Sequence, residues 1–330
     1  MTHLALPSFL AAAVRRSGCD FIVTGAGGWI GRATLSLLAD ALGPADFRRR
    51  VTGVAAAARP LRLMNRVDID LVELDVLERI EPRPCLLLHF AFLGREKVAA
   101  MTLPDYVAGN ETIALRLRRA ILRLKPRGVL LSSSGAVYGR DGAIETDLAR
   151  NPYGVLKHRD ETAFAQCCGE AGARLVVPRI FNLAGAYINK LDSYALASFI
   201  RDALARRPIA IRAPHRVERS YVGVLDVIAL ALAVLLDPGA TSVTFDTAGE
   251  RVVEVGELAA LILDALGRIG LGIERPPADP APAPDRYVGN PADMRALAAR
   301  HGVAFEGLVS QIRGTAAYLD DSGDTSGASA

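Results

Sequence analysis

A glycine-rich turn between an apolar segment and a helical pattern limits how this chain can fold more than any other feature. Asp20–Thr24 reads DFIVT, the next residues read GAGGWIG, and apolar residues then recur at helical spacing over 29–42. That order predicts a strand, a tight turn and a helix. Three glycines stand where the backbone must turn sharply: Gly25, Gly28 and Gly31. Side-chain-free positions before a helix N-terminus favour the close approach of a pyrophosphate, so the turn predicts nucleotide binding rather than a plain turn.

The rest of the first half alternates between strand and helix patterns. Further strands are predicted at 50–56, 69–74, Cys85–His89, 128–132 and 174–177. A helix is predicted at 106–125, and another separates the last two of these strands. This alternation predicts an α/β fold with a doubly wound parallel sheet of the Rossmann type.

Beyond residue 178 the pattern changes. Helices are predicted at 193–206, 225–236 and 255–266, and short strands near Ile209, near Val217 and at Val243–Asp246. We expect residues 217–245 to return to the main sheet. The predicted division is a dinucleotide-binding domain of 1–180 and 215–250, a smaller C-terminal α/β substrate-binding lobe of 181–214 and 251–319, and a disordered tail of 320–330.

Composition excludes several classes of protein. The chain has 330 residues, of which 51% are hydrophobic, so it can bury a substantial core. Lys and Arg number 39 against 36 Asp and Glu, a balance that argues against nucleic-acid binding. The longest apolar stretch, 227–236, is shorter than the roughly 20 residues of a membrane span. Four cysteines lack metal-site spacing. We therefore expect a cytoplasmic protein with no metal, membrane or nucleic-acid partner.

A serine, a tyrosine and a lysine form the candidate catalytic group. Ser134 follows a buried strand, so its hydroxyl is expected at the carboxyl edge of the sheet, where such folds bind ligands. Tyr153 and Lys157 are four residues apart on a predicted helix and share one face. We expect the ammonium of Lys157 to lower the pKa of the Tyr153 phenol, so that Tyr153 exchanges a proton with a substrate oxygen that Ser134 orients.

The end of the second strand bears on the choice of dinucleotide. An acidic residue there would favour the ribose 2′-hydroxyl of NAD, and none is present between Val51 and Arg59. Arg59, with Arg62 behind it, is suited to pair with the 2′-phosphate of NADP. The alternative is that Arg59 is a solvated loop residue. The cofactor expected is NAD or NADP, and this segment favours NADP.

Taken together, the motifs TGAGGWIG, HFA, SSSGAVYG, YGVLK, PRIFNLAG and RSYVGVLDV, spread over about 21–249, resemble those of the extended short-chain dehydrogenase/reductase family. Within it they are most similar to the NAD-dependent epimerase/dehydratase group, which modifies nucleotide sugars. The resemblance implies the following cofactor contacts: Gly25, Gly28, Trp29, Ile30, Gly31, Arg59, Asp75, Val76, Phe90, Ala91, Phe92, Asn110, Tyr153 and Lys157. It also implies that Ser134, Asn182 and Arg219 bind the substrate, the last two at its diphosphate.

Departures from the family pattern narrow the expected activity. Gly135 and Ala136 follow the catalytic serine where dehydratases carry an acid, which argues against dehydration. Ser220 replaces the usual Asp after Arg219. A second diphosphate-binding arginine is expected near 282–287, where Arg286 is available.

The leading expectation is an NAD(P)-dependent nucleotide-sugar epimerase acting through a transient 4-keto intermediate. The alternatives are an NADPH-dependent reductase of a 4-keto sugar or another carbonyl, and a catalytically silent nucleotide-binding regulator. The resemblance also implies a homodimer, formed by packing the helices of 106–125 and 153–172 from two copies.

Overall fold

The computed structural model describes residues 4–277 and 283–321. The helices and strands of its first half are α1 Ser8–Arg16, β1 Asp20–Thr24, α2 Trp29–Arg50, β2 Val51–Ala55, β3 Arg59–Arg62, β4 Asp68–Glu73, β5 Cys85–His89, α3 Leu103–Leu124, β6 Gly128–Leu131, β7 Ser133–Ser134 and α4 Pro152–Ala171. Those of the second half are β8 Arg174–Ile180, β9 Asn182–Ala184, α5 Ala195–Leu204, β10 Ile209–Ala210, β11 Val217–Arg219, β12 Tyr221–Gly223, α6 Val224–Leu236, β13 Val243–Asp246, β14 Val253–Glu254, α7 Val255–Ala265, β15 Ile273–Glu274, β16 Asp285–Tyr287, α8 Pro291–His301 and α9 Leu308–Asp321.

The main sheet has the strand order β13-β8-β6-β5-β1-β2-β4-β3, and the short β7 also pairs with β8. Neighbouring strands are parallel except β3, which runs antiparallel to β4. The chain leaves β1 towards β2 on one side and later continues from β5 towards β8 on the other. The doubly wound parallel sheet predicted from the sequence is confirmed.

Both faces of this sheet are covered by helices. All five residues of β5 are buried, and successive residues point into different cores. Leu86 and Leu88 belong to the core that includes α2 and α6, and Leu87 belongs to the core that includes α3 and α4. The unbroken apolar run CLLLH thus follows from a strand that faces protein on each side.

The helix predicted at 29–42 is the first of two helical segments that make up α2. α2 continues to Arg50, with one non-helical residue, Gly43, at φ +73° directly before Pro44. Proline cannot donate the backbone hydrogen bond of a helix interior, and glycine adopts positive φ at low cost. The helix end predicted at residue 42 therefore coincides with the kink at Gly43.

Within residues 217–245, which were predicted to return to the main sheet, β13 is a strand of that sheet and α6 packs on β8 and β6. β11 instead lies in a separate sheet between β14 and β16, and β12 pairs with β9. β11 has one fully buried residue, Val217, whereas a strand inside a sheet covered on both faces needs several. The division into a dinucleotide-binding domain and a substrate-binding lobe stays a prediction.

The remaining C-terminal helices have two locations. α5, α7 and α9 pack against one another, while α8 packs on α6 and β13 and so covers the main sheet. Of the predicted tail, residues 320 and 321 end α9, and 322–330 lie outside the described residues. None of the helices within 4–277 and 283–321 combines the length and hydropathy that a bilayer crossing demands.

Candidate active site

The glycine turn forms a cradle that tolerates no side chains at its critical positions. Gly25 has φ +67°, and a Cβ there would lie 2.6 Å from the backbone nitrogen of Ala91. A Cβ on Gly31 would collide with the carbonyl oxygen of Gly25. α2 begins at Trp29, and its N-cap residue Gly28 supplies no side-chain acceptor, so first-turn N–H groups remain available to an anion. The cradle fits the pyrophosphate of a dinucleotide.

The next two residues attach this cradle to other parts of the fold. Trp29 Nε1 donates to the carbonyl oxygen of Ala186 at 2.8 Å, and the indole packs edge-on against Tyr194 at 5.9 Å. Ile30 is half-buried against the core. Any contact between these side chains and a cofactor stays a prediction, whereas the link from the cradle to the loop after β9 is a structural feature.

Arg59 lies against the glycine turn. It opens β3, and its guanidinium occupies the space that a side chain on Gly27 would need. Arg32 reaches the same turn, since its Nε donates to the carbonyl oxygen of Gly27 at 3.0 Å. Arg59 is also exposed, so both alternatives left open by the sequence remain, and its contact with a cofactor stays a prediction.

Residues at the ends of β4 and β5 have local partners. Asp75 forms an ion pair with Arg79 at 3.0 Å, and Val76 packs beside the core under α3. Asn110 uses its amide within the protein: Oδ1 accepts from the Leu93 N–H at 2.8 Å and Nδ2 donates to the Tyr106 carbonyl at 3.1 Å. Asn110 therefore fixes the loop after β5, which carries Phe90, Ala91 and Phe92, and its own cofactor contact stays a prediction.

The predicted catalytic serine and tyrosine are brought together by the start of α4. Asn151 caps this helix by accepting from the Gly154 N–H at 3.0 Å, and its Nδ2 donates to the Ala136 carbonyl at 2.7 Å. Ser134 Oγ accepts from the Ala136 N–H at 3.1 Å. The Asn151 side chain thus bridges the turn after Ser134 and the first turn of α4. The Ser134 hydroxyl also interacts with the Tyr153 phenol.

Lys157 is buried, with 5% of its surface exposed. Its Nζ donates to the Ser132 carbonyl at 2.8 Å and lies 3.9 Å from the centre of the Phe92 ring. Burial lowers the pKa of the Lys157 ammonium to about 8, although the nearby carboxylates of Asp160 and Glu161 act in the opposite direction.

In this structure the pKa of Tyr153 lies above its ordinary value, and the expected lowering by Lys157 stays a prediction. Burial raises the pKa of Tyr153 to about 12, and the hydrogen bond with Ser134 lowers it only in part. The physical reason is that the ammonium faces the Ser132 carbonyl and the Phe92 ring, and the edge-on contact of Phe92 with Tyr153, 5.5 Å between ring centres, adds apolar surroundings. The phenol consequently keeps its proton at neutral pH.

His89, at the end of β5, is a neutral structural residue. Its Nδ1 is 2.6 Å from Thr24 Oγ1, and its ring stacks on Phe164 at 5.4 Å. Burial, and then the charge of Lys157, lower the pKa of His89 to about 3.

A buried network lies behind the catalytic group. The Ser133 hydroxyl donates to Glu161, whose carboxylate accepts two hydrogen bonds from Arg179 at 3.0 and 2.7 Å. Arg179 also donates to the Tyr138 hydroxyl at 2.6 Å, which in turn donates to Asp246 at 2.9 Å. These groups connect α4 with three strands of the main sheet and so hold the helix that carries Tyr153 and Lys157.

Tyr287 is a site residue that the sequence analysis missed. Its hydroxyl lies 3.3 Å from Ser134 Oγ, although the two residues are 153 positions apart. It sits on the three-residue strand β16 after a proline-rich segment, where no periodicity marks a strand. Only the register of β16 with β11 reveals its place.

The predicted substrate-binding residues Asn182 and Arg219 lie beside Tyr287, and both already bond to groups of the protein. Asn182 Nδ2 donates to the carbonyl oxygens of Tyr287 at 3.0 Å and Ser220 at 3.3 Å. Arg219 forms a two-pronged ion pair with Asp285, with the shorter contact at 2.8 Å. A diphosphate at Arg219 must therefore compete with a carboxylate of the protein.

Arg286, considered above as a second diphosphate-binding arginine, is paired as well. Its guanidinium lies 2.6 Å from the carboxylate of Glu218. Glu218 also pairs with Arg216 at 2.7 Å, and the two guanidinium groups hold the pKa of the Glu218 carboxyl below its usual range.

A family model and the curated relatives that match this chain indicate the same protein family. A sequence model described as NAD dependent epimerase/dehydratase family matches residues 21–245. The UDP-glucose 4-epimerase of Azospirillum brasilense is 31% identical over 176 residues, which are 50% of this chain and 49% of that protein. The chain thus spans about half the length of the curated relatives it matches.

Solved structures show the same fold. An epimerase of Methanothermobacter thermautotrophicus superposes with a TM-score of 0.73 at 18% identity, covering 96% of this chain and 97% of that one. A UDP-N-acetylglucosamine 4-epimerase of Methanobrevibacter ruminantium superposes with a TM-score of 0.72 at 18% identity, covering 93% and 99%. With a family match across most of the main sheet and the glycine cradle in place, the chain belongs to the NAD-dependent epimerase/dehydratase family.

Proposed function

We propose that the protein is an NAD(P)-dependent nucleotide-sugar 4-epimerase that acts through a transient 4-keto sugar. The observation that carries this proposal is the joining of Ser134 and Tyr153 by the Asn151 cap, with Lys157 one helical turn further along and the glycine cradle at the same sheet edge. The names of the curated relatives support the substrate class.

Each residue of the group has one task. Ser134 hydrogen-bonds the substrate oxygen at C4 and fixes its position. As the phenolate, Tyr153 takes the proton of that hydroxyl during oxidation, and as the phenol it returns the proton during reduction. Lys157 contributes positive charge, which must reach Tyr153 in the working enzyme to offset the burial that now raises its pKa.

The cofactor is proposed to lie along the cradle. When bound, a nicotinamide dinucleotide supplies reversible hydride transfer. The N–H groups at the start of α2 would hold its pyrophosphate, and Arg59 would face the 2′-position of its adenosine ribose. The position of Arg59 on the turn supports acceptance of NADP alongside NAD.

A second candidate is an NADPH-dependent reductase of a 4-keto sugar or another carbonyl compound. Two observations favour it: the Tyr153 phenol holds its proton, as a donor to a carbonyl oxygen must, and Asp285 already neutralises Arg219. This reading needs no anionic group on the substrate.

One experiment separates the candidates. The purified protein is examined by mass spectrometry for a retained dinucleotide and then incubated with UDP-galactose while the sugar H-4 signal is followed by NMR. Inversion at C4 without net consumption of cofactor identifies the epimerase. Consumption of added NADPH with a keto substrate identifies the reductase, and binding of a dinucleotide with neither reaction leaves a silent regulator.

A further inference from the structure

Tyr287 is held in place through its backbone and its ring. β16 pairs with β11 in the register Arg219↔Tyr287, and Asn182 donates to the Tyr287 carbonyl. The ring packs on Phe181 at 4.7 Å between centres. Phe181 in turn occupies the space beside Gly135, where a Cβ would lie 2.5 Å from its ring. The missing side chain after Ser134 thus makes room for the aromatic pair that aims Tyr287.

The hydroxyl of Tyr287 meets the same serine as the proposed acid-base residue. Ser134 Oγ lies 3.3 Å from the Tyr287 hydroxyl and also interacts with the Tyr153 phenol. Burial raises the pKa of Tyr287 well above its ordinary value, so this hydroxyl keeps its proton and can donate. Ser134 is therefore flanked by two phenols.

The hydrogen-bonding capacity of a serine limits how these groups can be arranged. A hydroxyl offers one hydrogen and two lone pairs. One lone pair of Ser134 accepts from the Ala136 N–H. If the other lone pair accepts from Tyr287, the single Ser134 hydrogen is free to point towards Tyr153 and towards the substrate oxygen that both residues are proposed to contact.

We propose that Tyr287 is a positioning residue of the reaction centre: by donating to Ser134 Oγ, it turns the Ser134 hydrogen towards the oxygen on which Tyr153 acts. The catalytic part of this inference rests on the proposed function. The hydrogen-bond part concerns only this chain and can be tested without a substrate.

The substrate-free test is an NMR measurement on protein labelled with ¹³C at the tyrosine ζ-carbon, whose signal responds to hydrogen bonding at the phenol oxygen. The Tyr153 signal is identified by its loss in Tyr153→Phe. We expect Tyr287→Phe and Ser134→Ala each to shift it, and Tyr287→Phe to cause no further shift in the Ser134→Ala protein. An unchanged signal in Tyr287→Phe, or an equal shift with and without Ser134, overturns the proposal.

The kinetic test uses the substrate that the wild-type protein turns over. Tyr287→Phe should lower kcat about tenfold, the effect of losing roughly one hydrogen bond, with KM within about twofold of wild type. In the Ser134→Ala background the same change should alter kcat less than about twofold. The pH dependence of kcat should keep its midpoint, and loss of that pH limb would make Tyr287 itself the acid or base and overturn the positioning role.

Tyr138→Phe is the matched control. Its ring also stacks near Phe181, at 6.3 Å, but its hydroxyl bonds Arg179 and Asp246 instead of Ser134. Because Tyr138 does not bond Ser134, any change that this variant causes in the Tyr153 signal or in kcat should be the same with and without the Ser134→Ala substitution. If no tested substrate reacts, the proposed function fails, and the NMR cycle still decides the role of Tyr287.

Discussion

At the scale of single residues, the surroundings of Tyr153 oppose its ionisation. Its pKa rises to about 12 because the phenol is buried and Phe92 packs against it. The sequence predicts that Tyr153 and Lys157 share a helix face, since their spacing is i, i+4. It does not predict the pKa, because burial by Phe92 and the capture of Lys157 by the Ser132 carbonyl depend on the folded chain.

Lys157→Met should stabilise the protein while abolishing turnover. Burial holds the Lys157 pKa near 8 against an ordinary 10.5, so the fold carries the cost of a buried charge at neutral pH. After loss of its one hydrogen bond is allowed for, we expect a gain of about 1–2 kcal/mol in the free energy of unfolding, seen as a higher Tm.

The lowered pKa of Lys157 also sets how the stability difference between wild type and Lys157→Met changes with pH. Between pH 8 and 10.5 the unfolded chain binds the lysine proton more strongly than the folded chain, so wild-type stability rises relative to the variant. The advantage of Lys157→Met should be full below pH 8 and gone near 10.5. The exposed Lys97→Met is the control, and a lower Tm for Lys157→Met at pH 7 would contradict this account.

Arg59→Ala should weaken NADP binding about tenfold and leave NAD binding within about twofold, because a guanidinium recognises the 2′-phosphate and has no comparable group to bind in NAD. Titration calorimetry with both dinucleotides measures this. Arg62→Ala is the control, since its guanidinium is paired with Asp68 at 3.0 Å. Equal losses for both dinucleotides would show that Arg59 supports the turn and does not select the cofactor.

At the scale of helices and strands, local sequence pattern predicts the first and last residues of some strands correctly. β1, β5 and β13 have the predicted bounds, because each is an apolar run that is punctuated by turn residues. β11 and β16 have only three residues each and are held by pairing with distant strands, and the Arg219–Asp285 ion pair joins positions 66 apart. Such contacts leave no periodicity, so the substrate side of the site could not be derived in the same way.

Two glycine substitutions test the cradle as an element. In Gly31→Ala the new Cβ meets backbone atoms of Gly25 and Ala26, which no rotamer change relieves, so we expect loss of dinucleotide binding and a destabilisation of about 1–3 kcal/mol. In Gly169→Ala, on α4, nothing lies within 4 Å, and the helix should gain about 0.5–1 kcal/mol. Calorimetry and Tm measure both, and normal cofactor affinity in Gly31→Ala would refute the cradle.

At the scale of the whole molecule, the candidate site joins distant parts of the chain. The cradle and the Ser134, Tyr153 and Lys157 group come from the main sheet and its helices, whereas Tyr287 and Arg219 come from the small sheet of β11, β14 and β16. Trp29 ties the cradle to the loop after β9 through the Ala186 carbonyl. The residues proposed for substrate binding and those proposed for redox chemistry thus lie on different elements.

The outer face of α3 predicts self-association. Leu115 and Leu122 are 45% and 43% exposed and lie seven residues apart, hence on one face of a helix that packs against α4. We expect a homodimer in which α3 and α4 of two copies pack together. Light scattering after size exclusion should give about twice 35.1 kDa for wild type and one chain mass for the Leu115→Glu, Leu122→Glu variant.

Ile269→Glu is the control for that experiment, since Ile269 is 74% exposed in the loop after α7 and should leave the mass unchanged. A wild-type mass of one chain would contradict the dimer.

The most direct measurement of the central claim compares Tyr153→Phe with wild type in UDP-galactose turnover and in dinucleotide affinity. The account predicts that removal of this hydroxyl lowers kcat by at least about a hundredfold, since it removes the group that transfers the proton, while the dissociation constant of NAD or NADP stays within about twofold. Retained turnover, or loss of cofactor binding of the same size as the loss of turnover, would contradict it.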